Sequence, residues 1–345
     1  MSKRIEKIDQ LDSLRAFAAF SVIIFHFIRE YNLGNFAYGW IGVDVFFVIS
    51  GYLITAILLE QKFIINNKLL IIKNFIIKRA LRLFPAYYLF ISFFYFLMYA
   101  FGLYVWNSGN GVYYYTYTQN ILFFKEGLKG VQLNHVWTLA VEEQFYLFWP
   151  WLLIYISNKR LINGLLIIIP LTLLFKSFLS IEGLRMLPIS HFDTLGGGAL
   201  VALLIKEKGQ QFFLFLDRIK LITILSSLIL LAISTLYSIS NFFVVLSIFV
   251  LSISLLIGCY YSFNGVIGQI LNISKLKYLG KISYGLYLYH KPVPYLVKLF
   301  ISKTHIQISN YILFILSILI TIIIAHLSYN LLEKRFLKLK DKFDL

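Results

Sequence analysis

One cysteine, Cys259, occurs in 345 residues, which excludes a disulfide framework and a cysteine-rich metal site. Charged residues make up only 14% of the chain, too few to clothe a soluble protein of this length. Acidic residues are scarce: 16 stand against 32 lysines and arginines, for a formal charge of +16. The basic residues nevertheless lie in short segments between long apolar runs, so no single basic face exists for nucleic acid. Histidines and carboxylates show neither HxxxH nor HExxH spacing, and no metal is expected. There is no internal repeat and no low-complexity tail. No cleavage site follows the first apolar segment, which contains Arg15 and is read as a retained helix.

Hydrophobic residues, in contrast, supply 59% of the chain. Ten stretches approach the length of a bilayer span, at about 13–30, 39–59, 83–104, 136–156, 161–179, 192–205, 220–238, 242–261, 283–301 and 309–331. The expected fold is all-α, a polytopic membrane helix bundle of about ten transmembrane helices forming a single domain over 1–345. Threading the spans alternately puts most lysines and arginines on the side of the N-terminus. Both termini are therefore expected in the cytoplasm. The longest outer connection, about 105–135, is rich in tyrosine and asparagine. It suits an interfacial aromatic belt or, alternatively, stacking on sugar rings.

Ionisable residues inside such spans are costly and mark function. Arg15 and His26 are eleven residues apart, almost three helical turns, and share a face about 16 Å long. Ala18, Ala19 and Val22 lie between them, leaving a groove for a thin ligand or allowing close helix packing. Asp44 sits near the outer end of the second span, with Gly51 and Thr55 on its face. Glu142 and Glu143 are adjacent, hence about 100° apart, so only one faces a given cavity. Glu142 shares its face with Thr138, Phe145, Tyr146 and Trp149 and is the chosen site residue, Glu143 a supporting or substrate-binding one. By the expected topology His26, Asp44 and Glu142 lie together in the outer half. A histidine oriented by a carboxylate there can activate a hydroxyl nucleophile.

Toward the inner side, Lys78, Arg79 and Arg82 open the third span, and with Arg15 they suit a phosphate-bearing ligand. In the ninth span His290 and Lys291 precede Pro292 and Pro294, which break the helix. His290 is then catalytic or substrate-binding, or it only stabilises the break. Arg185, His191 and Asp193, ahead of three glycines, can contact an acceptor or anchor an interface.

The stretches LDSLRAFAAFSVIIFHF, GVDVFFVISGYLIT, RALRLFPAYY, HVWTLAVEEQFYLFWP and SYGLYLYH occur in order over about residues 9–333. In this the chain resembles the acyltransferase 3 family of membrane O-acyltransferases that modify bacterial surface polysaccharides. The resemblance implies transfer of an acyl group, usually acetyl, from cytoplasmic acyl-CoA to a sugar hydroxyl at or beyond the outer face. Acceptors implied are O-antigen, lipopolysaccharide, capsule or exopolysaccharide, and the location is the bacterial cytoplasmic membrane among its lipids. The family's arginine and histidine fall on Arg15 and His26, its aspartate on Asp44, its arginine pair on Arg79 and Arg82, and its glutamate on Glu142. Thr138 and Ala140 stand where the family usually has serines, Tyr52 for a phenylalanine, and His191 for a frequent arginine, which bears on acceptor contacts. Many relatives carry a C-terminal soluble esterase-like domain. This sequence shows none, and direct transfer to a membrane-proximal glycan, or to an unseen partner, is the expectation. The alternative function is a proton-coupled secondary transporter, which would also use buried ionisable residues and a broken helix.

Overall fold

A computed structural model of the protein describes residues 9–34, 36, 38–100, 110–127, 133–178, 182–237, 240–260, 265–304 and 307–343. All regular structure among them is helical. The long helices are α1 (Gln10–Glu30), α2 (Ile41–Ile64) and α3 (Lys68–Ala100). After the short α4 (Gly111–Tyr115) and α5 (Gln119–Glu126) come α6 (Trp137–Tyr155), α7 (Asn158–Phe178) and α8 (Thr194–Lys208). Next are α9 (Gln210–Leu236), α10 (Asn241–Tyr260), α11 (Gly265–Leu271) and α12 (Ser274–Lys281). The chain closes with α13 (Ser283–Tyr289), α14 (Pro292–Thr304), α15 (Asn310–Ser328) and α16 (Lys334–Lys338).

Seven of the described helices are long and apolar enough to cross a membrane: α1, α2, α3, α7, α9, α10 and α15 with its continuation to Lys338. The other three expected spans fall on α6, α8 and the α13–α14 pair. These are, respectively, a helix carrying Glu142, Glu143 and Gln144, a helix of 15 residues, and two helices separated at His290. The break arises where the sequence places it, because Pro292 brings no backbone donor and occupies the first turn of α14. Large apolar side chains such as Phe96, Ile222 and Ile312 point outward, as a lipid-facing surface requires.

Helix α3 departs from the expectation. It begins at Lys68, so Arg79 and Arg82 lie eleven and fourteen residues inside it rather than at its end. Hydropathy windows start late here because five cations, Lys68, Lys73, Lys78, Arg79 and Arg82, precede the apolar run, although lysine and arginine are good helix formers.

Helix α2 is central, packed by α1, α3, α6, α8 and α10. Its crossing with α8 is close because both helices present glycine. A Cβ on Gly51 would meet the Leu195 carbonyl, and one on Gly198 the Val48 carbonyl. Gly198→Ala is expected to cost about 1–3 kcal/mol through overpacking. The check is a lowered melting temperature of the detergent-purified protein compared with Gly164→Ala, where the added methyl enters open space. The small residues of α1 serve the same purpose: Ala18, Ala19 and Val22 are buried, and Gly42 of α2 lies against the Ala18 carbonyl and Val22. The face between Arg15 and His26 is thus a packing seam, and the groove expected there is filled by α2.

Candidate active site

Three of the four cations expected at the inner end converge. Arg15 of α1 and Arg79 and Arg82 of α3 line one cavity of about 70 Å³ with Ser50 of α2, Glu142 and Tyr146 of α6, and Tyr284 and Tyr287 of α13. Arg15 is held by Asp12, one turn earlier, at 3.4 Å. The Arg79 guanidinium lies over the rings of Phe75 and Tyr146, 5.5 and 5.4 Å from their centroids. Arg82 makes no ion pair with another described residue. Ser50 donates to Glu142 Oε1 at 2.7 Å and accepts from the Tyr146 hydroxyl at 2.8 Å. That relay fixes one carboxylate among three guanidiniums, and the cavity keeps an excess of positive charge suited to an anion.

The adjacent glutamates separate as helical geometry requires. Glu143 lines a second cavity of about 160 Å³ on the other side of the Arg79 and Tyr146 wall, with Tyr88, Tyr115 and Tyr117. Its Oε1 is buried without a hydrogen-bond partner among the described residues. The tyrosine-rich connection covers this cavity. Tyr87 and Tyr88 donate to the carbonyls of Tyr114 and Tyr115, and Gln144 and Asn120 form a reciprocal amide pair at 3.0 Å. Gln144 also donates to the Tyr117 carbonyl, at a residue with φ of 53°. Tyr114 and Tyr117 are buried core rather than a surface belt, whereas residues 105–109 and 128–132 of that connection lie outside the described residues.

His26 occupies a different neighbourhood. Lys291 Nζ is 3.4 Å from His26 Nδ1, and the His290 ring is 5.2 Å away, centroid to centroid. His290 is fully buried. Its Nδ1 donates to the Tyr287 carbonyl at 2.6 Å, which closes the break after α13, and its Nε2 has no partner among the described residues. His135 packs 4.9 Å from His290 and bonds the Leu288 carbonyl through Nε2. Tyr287 connects this cluster to the arginine cavity. It lines that cavity, accepts from Thr138 at 2.8 Å and donates to the His135 carbonyl at 3.0 Å.

Asp44 does not orient His26. With Asp193 it surrounds Lys176 of α7, whose Nζ lies 2.9 and 2.7 Å from the two Asp193 oxygens and 3.8 Å from Asp44 Oδ1. Asp193 is buried, as is His191, which donates from Nε2 to the Arg185 carbonyl at 2.8 Å and packs on Phe47 and Trp137. Burial holds the His191 pKa well below the ordinary histidine range, which favours the uncharged ring. The three groups expected together, His26, Asp44 and Glu142, are thus distributed over three separate clusters. Depth along a helix, which hydropathy gives, does not fix the direction in which a side chain points around the bundle.

Four participants were not singled out from the sequence. Lys176 had a legible signal, a lone lysine in an apolar run. Lys291 was noted only as part of the helix break. Ser50 and His135 carried none, because an isolated serine or histidine gains meaning only from what it touches.

Residues 8–329 match the sequence model of a family described as an acyltransferase domain. A Bacillus subtilis (strain 168) protein with the name "Putative peptidoglycan O-acetyltransferase YrhL" is 31% identical over 362 residues, covering 94% of this chain and 54% of the relative. A Listeria monocytogenes protein named peptidoglycan O-acetyltransferase OatA is 29% identical over 356 residues, covering 94% of this chain and 55% of the relative. The chain therefore spans about half the length of these curated relatives. No solved structure matches it significantly.

Proposed function

The chain belongs to the acyltransferase 3 family, and from that premise we propose that it is a membrane-bound O-acyltransferase. It moves an acyl group, acetyl in the first instance, from cytoplasmic acyl-CoA to a hydroxyl of a cell-envelope glycan across the bacterial cytoplasmic membrane. The observation that carries this reading is the convergence of Arg15, Arg79 and Arg82 on one cavity. Three guanidiniums facing one carboxylate fit the phosphates of the donor, and a proton-coupled carrier has no need of them. The names of two relatives make peptidoglycan the first acceptor to test, ahead of lipopolysaccharide, capsule or exopolysaccharide.

His26 is the general base in this reading. It accepts the proton of the acceptor hydroxyl as the new oxygen–acyl bond forms and the acyl–sulfur bond breaks, and it returns that proton to the departing thiolate. Tyr287 and Thr138 stand between the arginine cavity and the histidine cluster and set the path for the acyl arm. Glu142, held by Ser50, orients the arginine cluster rather than the histidine.

The test is transfer of labelled acetyl from acetyl-CoA to peptidoglycan fragments by membranes containing the protein. Arg82→Gln is expected to raise the donor KM about tenfold, one charge contact to phosphate, with a smaller effect on kcat. An unchanged donor KM in that variant would remove the arginine cavity from the reading.

A further inference from the structure

A second set of cations surrounds His26. Lys291 stands at the break between α13 and α14, half-buried, with its ammonium against the His26 ring. No carboxylate among the described residues pairs with it, and an ammonium withdrawn from water without a counter-ion is costly. Arg29, exposed in the last turn of α1, lies over the Phe25 ring 5.4 Å from its centroid and likewise has no described carboxylate partner. The nearby Glu30 attracts Lys291 but is itself bonded to Lys298 of α14 at 2.7 Å, so positive charge remains in excess. Three cations therefore face one carboxylate at the end of α1 that carries the candidate base.

These charges are not needed by the donor. Its phosphates are provided for at Arg15, about 16 Å away along α1, and the thioester end of an acyl-CoA is neutral. The cations instead run from exposed Arg29 inward to half-buried Lys291, a graded field that draws an anion toward His26.

We propose that Lys291 and Arg29 form an anion subsite beside His26 that selects acceptor glycans bearing a carboxylate or phosphate close to the hydroxyl that is acylated. The subsite rests on the acyl-transfer reading and adds the charge class of the acceptor to it. Lys291 is the inner contact, placed to meet the anion while His26 meets the neighbouring hydroxyl. Arg29 is the outer contact, which sets capture and salt sensitivity.

The experiment uses membranes containing the full chain, labelled acetyl-CoA, and three oligosaccharides of equal length that are neutral, carboxylate-bearing or phosphate-bearing. The readout is the ratio of kcat/KM for each anionic acceptor to that for the neutral one. The wild type is expected to favour one or both anionic acceptors, and which of the two identifies the anion. Lys291→Gln is expected to lower that ratio about tenfold, as loss of one partly desolvated charge contact does, and Lys291→Arg to keep most of it. Arg29→Gln, at an exposed position where folding is not at stake, is expected to lower the ratio and flatten its dependence on salt. A wild type that acylates all three equally, or a ratio unmoved in both glutamine variants, overturns the subsite alone. Transfer to none of the three acceptors overturns the acyl-transfer reading and the subsite with it.

Discussion

Alanine at position 26 is expected to lower kcat for acetyl transfer by about 10²- to 10⁴-fold, the usual contribution of a positioned general base. The donor KM should change little, because the arginine cavity lies at the other end of α1 and keeps Arg15, Arg79 and Arg82. The ring touches Lys291 and His290 but anchors no helix, so the variant should insert and purify like the wild type. His26→Gln sharpens the measurement, since it retains a polar group against Lys291 yet cannot take a proton at neutral pH. Both variants are assayed at matched abundance with labelled acetyl-CoA. Full activity in either one would remove His26 from the chemistry, and a loss confined to the donor KM would move it to the binding machinery.

Lys176→Met is expected to destabilise the fold by about 3–5 kcal/mol, the cost of leaving buried carboxylates without their cation. The lysine side chain is 11% exposed, and the two carboxylate side chains around it 8% and 1%. Arg185 is the other positive charge within reach and offsets part of the loss. The ammonium ties α7 to α2 through Asp44 and to the start of α8 through Asp193, so its removal loosens three helices together. Thermal unfolding in detergent provides the measurement. The double variant Lys176→Met with Asp193→Asn should recover part of the stability, since it removes one orphaned charge along with the cation. A single variant as stable as the wild type would show that these carboxylates are not held by Lys176.

The contrast between His26 and Lys176 shows how far the sequence reaches. His26 was legible because a histidine in an apolar span, on one helix face with an arginine almost three turns away, is costly enough to require a purpose. Arg79 and Arg82 were legible as a pair at helical spacing, although the start of their helix was not, since cations depress the hydropathy of a segment that is nevertheless helical. Glu142 was expected beside His26, whereas the structure places it in the arginine cavity and Glu143 in the neighbouring one. Lys176 was visible as a lone lysine in an apolar run, but its meeting with Asp44 and Asp193 depends on how α2, α7 and α8 pack.

Composition and pattern by themselves determined an all-helical membrane protein, the helix break before Pro292 and the ionisable residues buried in its spans. These follow from local physics: the thickness of a bilayer, the helical period and the missing donor of proline. Only the tertiary structure decided which of those residues meet. It gathered three arginines with Glu142, gave Asp44 to Lys176, set His26 against Lys291 and His290, and filled the supposed groove of α1 with α2. Side-chain direction around a bundle is fixed by close packing between distant segments, such as the contact of Gly51 and Gly198 with the facing backbones, and no single segment encodes that.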